Sequence, residues 1–200
     1  MKNTIGTLKI AMSGFARLAA SLIIMIVFAF ISCNGDKKPE DTKVVAEEHN
    51  DAKFDNAKED DAKFLVTAAE INLEEIQLGQ LAQKNGMIKD VKDLGKMMET
   101  DHSGALKDLQ ALAAKKQITI PASLTDNGKD AYKKLMEKKG KDFDKAYCGM
   151  MVDGHKAAID KFEKASTGAA DPDIKAWAAS MLPALRMHLD HSIACQAKCK

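Results

Sequence analysis

Apolar side chains from residue 60 onward recur at steps of three and four, the spacing that places them on one face of an α-helix. The pattern predicts four long helices. The first, about 60–85, carries Phe64, Ala68, Ile71, Leu78 and Ala82; it has Asp60-Asp61 as cap candidates and stops at Gly86. The second, about 88–116, carries Val91, Leu94, Met98, Ala105, Leu109 and Leu112. "QITIPASLTDNG" breaks the pattern at Pro121, and a short helix is expected at about 126–138. The third, about 141–166, turns Tyr147, Met151, Ala158 and Phe162 inward. The fourth, about 172–198, has Asp171 as N-cap and Pro172 at its first position, with Ile174, Ala178, Met181, Leu185 and Ser192 on one face. Pro183 lies inside it, and its missing N–H predicts a kink. Long helices with mostly short connections indicate an all-α fold: an antiparallel up-down four-helix bundle over 59–200, with a short extra helix between helices 2 and 3.

Polar residues interrupt each stripe. On a wheel of 100° per residue, Glu75 is central in the first helix, His102 in the second, His155 in the third and His188 in the fourth. Each lies within about three residues of its helix midpoint, so antiparallel packing brings the four to one level. Neutral imidazoles and a carboxylate are ligands for one transition-metal ion such as zinc, iron or copper. Glu99, Asp101, Asp144, Tyr147 and His191 lie nearby on the wheels and are candidates to orient the ring N–H groups. The alternative is a buried cluster in which each polar group satisfies another and nothing binds. Met98, Met151 and Met181 beside the histidines would suit copper or a haem edge, although methionine at this spacing also fills cores, and no C-x-x-C-H motif is present. Glu99 and His102 form one Glu-x-x-His pair; Val152 and Leu185 stand where a second would need glutamate, which disfavours di-iron chemistry.

Residues 1–33 read differently. Lys2, Lys9 and Arg17 are the only charges, an apolar run follows, and "FISC" ends at Cys33. This is a secretory signal whose end resembles a bacterial lipobox, so cleavage before Cys33 and lipidation of its thiol are expected, with an uncleaved anchor as the alternative. Residues 34–58 are polar and nearly free of large apolar groups, so a flexible tether is expected, with His49 solvated in it. The expected address is the bacterial cell envelope, as an outer-membrane lipoprotein facing the periplasm, with the membrane as partner through the lipid anchor. Without the leader cations the 30 Lys+Arg become 27 against 29 Asp+Glu, both signs interspersed, and no basic stripe suggests nucleic acid. The sequence names no protein partner.

The remaining cysteines are Cys148, Cys195 and Cys199. Cys148 lies seven residues before His155 and Cys195 seven after His188, so antiparallel helices carry both toward one end, about 10 Å from the histidines. A Cys148–Cys195 disulfide is expected in an oxidising compartment, with Cys199 as an alternative partner and a Cys-x-x-x-Cys metal claw as a further option.

"AEINLEEIQLGQLAQ", "METDHSGALKDLQALAAKK", "FDKAYCGMMVDGHKAAIDKFEKAS" and "LPALRMHLDHSI" together resemble the domain-of-unknown-function 4142 family over about residues 60–194. The resemblance implies a ferritin-like four-helix bundle in the periplasm or outer membrane, with Glu75, His102, His155 and His188 as polar core positions. It implies no settled activity. Nucleophile motifs and glycine-rich phosphate loops are absent from the chain, which favours a binding or structural protein over an enzyme.

Overall fold

The computed structural model describes residues 39–199. The leader, Cys33 and the start of the expected tether lie outside them. Among the described residues there are six helices and no strand: α1 (Thr42–Asp51), α2 (Asn56–Asn85), α3 (Lys89–Lys116), α4 (Asp126–Met136), α5 (Gly140–Gly168) and α6 (Pro172–Lys198). None of these helices is long and apolar enough to cross a membrane.

Helices α2 and α3 form one hairpin and α5 and α6 another; each pair is joined by a three-residue turn, which forces an antiparallel course. The α2–α3 pair is set by two glycines. A Cβ on Gly79 would stand 2.6 Å from the carbonyl oxygen of Gly95, and one on Gly95 would stand 2.6 Å from that of Gly79. The two backbones touch there because neither residue has a side chain.

Each hairpin also ties the turn of the other. Asp144, on α5, accepts from the N–H groups of Met87 (2.8 Å) and Ile88 (3.1 Å) in the α2–α3 turn. Asp61, on α2, accepts from Ala170 (3.0 Å) and Asp171 (2.7 Å) in the α5–α6 turn. Asp61 is therefore no N-cap; α2 begins five residues earlier, at Asn56. Asp171 does cap α6, accepting from Asp173 and Ile174 with Pro172 behind it. Helix α6 continues through Pro183 without interruption.

The tether expected over 34–58 is corrected where it is described. Helix α1 occupies Thr42–Asp51 and packs on α2. Only Ala46 and Asn50 are buried in it, and polar bonds hold it down. Asn50 accepts from the Thr119 N–H and donates to the Thr119 carbonyl, both at 2.8 Å. Lys43 meets Glu70 at 2.7 Å, and His49 is bonded to the Thr119 hydroxyl rather than merely solvated. A polar composition suggested disorder, yet these groups find partners on α2 and on the loop that holds Thr119.

Two apolar clusters fill the interior. One contains Leu65, Leu109, Phe162 and Ile174; the other contains Leu78, Leu94, Met98, Phe143 and Met151. Along all four long helices the boundary between them falls at the same residues: Asn72 and Glu75, His102, His155, and His188.

Candidate metal centre

Three imidazoles meet at that boundary. His102, His155 and His188 are 4 %, 1 % and 2 % exposed, from α3, α5 and α6. Their ring centroids are 5.7, 5.2 and 5.3 Å apart, and one nitrogen of each lies within 4.8 Å of the others.

The bonding of each ring decides what the group can do. Nδ1 of His102 is 3.0 Å from Oδ1 of Asn72, whose own amide nitrogen donates to the Ala68 carbonyl at 2.7 Å. That second bond fixes the amide with its oxygen toward the ring. Nδ1 of His155 is 2.8 Å from the Met151 carbonyl, one helical turn back. Nε2 of His188 is 2.9 Å from a carboxylate oxygen of Asp101. All three partners are acceptors, so each of these nitrogens carries the proton and donates. The other nitrogens, Nε2 of His102, Nε2 of His155 and Nδ1 of His188, therefore hold bare lone pairs, and none has a hydrogen-bond partner. Buried polar atoms without partners are rare in native proteins. Three on neighbouring rings form a group that could hold a metal ion.

Burial also keeps the rings of His102 and His155 neutral. It holds His102 well below the usual imidazole range, with His155 and His188 adding to the effect, and holds His155 down to about 4. Both are unprotonated at neutral pH, as a metal requires.

The fourth expected ligand behaves differently. Glu75 is buried, but Oε1 lies 3.7 Å from Nδ1 of His155, the nitrogen already donating to Met151. It is not among the atoms within 4.8 Å of one another. Burial, with Glu74 adding to it, raises Glu75 to about 8, so at neutral pH it is an uncharged acid. Glu75 thus stands outside the group that could hold an ion, which consists of the three imidazoles.

Of the residues expected to orient the rings, Asp101 alone does so. Glu99 accepts instead from Gln80 (2.8 Å) and Gln83 (2.7 Å) across the α2–α3 hairpin. Asp144 holds the α2–α3 turn, as described above. The Tyr147 hydroxyl is buried without a hydrogen-bond partner, and burial holds it well above its usual range. His191 is exposed. Asn72 and the Met151 carbonyl are the orienting groups that helical wheels miss.

A recess of about 30 Å³, lined by Asn72, Asp101, His102, Met181 and His188 among others, adjoins two of the rings, those of His102 and His188. That is space for a water or an ion; a haem or organic substrate needs several hundred Å³.

The chain matches no curated protein and no solved structure. A family model does match, over residues 46–194, three quarters of the chain, and this places the protein in the family described as "Domain of unknown function (DUF4142)".

Proposed function

We propose that this chain is a lipid-anchored protein of the bacterial cell envelope whose helices, arranged as an antiparallel up-down four-helix bundle of ferritin-like topology, hold one transition-metal ion. The ligands are Nε2 of His102, Nε2 of His155 and Nδ1 of His188; Asn72, the Met151 carbonyl and Asp101 fix their tautomers. The observation that carries this reading is the set of three buried lone pairs without partners, backed by donated N–H groups. A purely hydrogen-bonded polar layer would let its members satisfy one another, and these do not.

Imidazole donors suit zinc, copper or iron, and three ligands leave a coordination position open. The small recess favours carrying, buffering or sensing an ion over turning over a substrate. The leader and its lipobox-like end support the envelope address. Full-length protein purified in detergent without an affinity tag provides the test, by elemental mass spectrometry. One equivalent of metal per chain, lost in His102→Ala and His188→Ala but kept in Cys148→Ser, supports the reading. Protein that is metal-free and gains no thermal stability from added zinc, copper or iron contradicts it.

A further inference from the structure

Two helical turns from the imidazoles, α5 and α6 bring three sulfur atoms together. Sγ of Cys148 lies 2.7 Å from Sγ of Cys195 and 3.7 Å from Sγ of Cys199, and the three lie within 4.8 Å of one another. All three are free thiols; Cys148 and Cys195 are buried and Cys199 half-buried. The expected Cys148–Cys195 disulfide is not formed in this structure; the two sulfurs belong to a cluster of three free thiols.

We propose that Cys148, Cys195 and Cys199 form a second metal site, distinct from the imidazole layer, that binds monovalent copper through three thiolates. A metal–sulfur bond of about 2.3 Å puts the corners of a trigonal site roughly 4 Å apart. The thiols already stand near that spacing; the Cys148–Cys195 edge must open by about an ångström. The ligand group contains sulfur alone, without a histidine or carboxylate. Soft three-coordinate donors select copper(I), whereas zinc seeks a fourth ligand.

The surroundings favour a cation. Cys195 lies in the last turns of α6 and Cys199 at its C-cap, where unpaired carbonyls supply partial negative charge. Asp90 and Asp144 add their fields at Cys195. Entry has a route, since a surface recess of about 280 Å³ lined by Asp90, Asp93, Met97, His191 and Lys198 reaches Cys195. The ion arrives as copper(I) and stays copper(I). Each thiol that binds releases one proton to solvent, and no electron changes hands.

Full-length protein in detergent, kept anaerobic, is titrated with copper(I) against the chromophoric chelator bicinchoninate. The wild type is expected to withdraw one equivalent that His102→Ala also withdraws. Cys148→Ser and Cys199→Ser each lose it, with at least a tenfold fall in competition strength. Cys199→Ser, at a half-exposed helix end, is expected to keep the wild-type melting temperature, so its loss of copper is not loss of fold. X-ray absorption of the loaded His102→Ala protein should show sulfur neighbours only. Unchanged copper uptake in the cysteine variants, or nitrogen ligands in that spectrum, overturns the site. So does a Cys148–Cys195 disulfide in protein alkylated directly from envelope fractions, since it would remove two ligands. The imidazole reading survives either result, because its metal is counted in Cys148→Ser.

Discussion

Helices α5 and α6 take part in two clusters of ligand-type side chains, the imidazole layer that they share with His102 of α3 and the thiols, and the two are held in opposite ways. At the imidazole layer, every ring is gripped from behind by an acceptor that belongs to the protein: an amide oxygen, a backbone carbonyl, a carboxylate. At the thiol cluster, two sulfurs are bonded chiefly to each other, and only Cys199 reaches a backbone acceptor, the Cys195 carbonyl at 3.3 Å. The first site has its lone pairs aimed before any ion arrives. The second takes its shape from whatever the sulfurs share, whether a proton, a bond or a metal. Preorganisation therefore lies in the groups behind the ligands, and it is these that separate a metal site from a knot of polar residues.

The contrast can be broken most sharply at the ligands themselves. His102→Ala or His188→Ala is expected to weaken metal binding by more than about 100-fold, exceeding the 10–100-fold typical of orienting groups. Competition titration with a fluorescent zinc chelator measures this. Next comes the helix pair that positions Asn72 against His102. Gly79→Ala or Gly95→Ala pushes a methyl to 2.6 Å from a carbonyl and must separate α2 from α3. A destabilisation of about 3 kcal/mol is expected, seen as roughly 10 °C in the melting temperature. Asn72→Leu and Asp101→Ala leave the ligands in place but free the tautomers, and should cost about 10–100-fold in affinity. Were either variant to bind as the wild type does, the backing bonds would be incidental.

The smallest effect concerns protons. His155 at about 4 and His102 well below the usual range refuse protons that the unfolded chain accepts below about pH 6.5. Metal-free protein thus loses stability as pH falls from about 6.5 toward 4. Glu75, raised to about 8, works in the other direction: above about pH 4.5 the unfolded chain has lost a proton that the folded chain keeps. Its contribution declines as pH rises toward 8, by at most about 1.4 kcal/mol per pH unit. A stability maximum near pH 6.5 is expected, and Glu75→Gln should flatten the alkaline side while steepening the acid side above about pH 4.5. Thermal melts across pH check both arms.

Much of the fold is legible in the chain because its helices are long and regularly patterned. The expected boundaries at 88–116 and 172–198 fall within a residue of Lys89–Lys116 and Pro172–Lys198. The same reasoning fails at α1, where just Ala46 and Asn50 are buried and the anchoring bonds go to a loop some seventy residues away. Periodicity detects faces that bury apolar area; it cannot see an asparagine pairing with a distant backbone.

At the site, wheels and depth bring the three histidines together, since direction and height are properties of a helix. They do not show which atom meets which. Glu75 has the correct height but stands beside the occupied nitrogen of His155. Asp144 and Glu99 face neighbours but serve a turn and a pair of glutamines. Asn72 lies on the same stripe as Glu75, three residues earlier, and a polar residue in that stripe was the available signal.

Anomalous diffraction from crystals of the zinc- or copper-loaded protein tests the central claim most directly. A single peak within bonding distance of Nε2 of His102, Nε2 of His155 and Nδ1 of His188 is the expected result. An empty layer in fully loaded crystals, or rings that have rotated to hydrogen-bond one another, would contradict it.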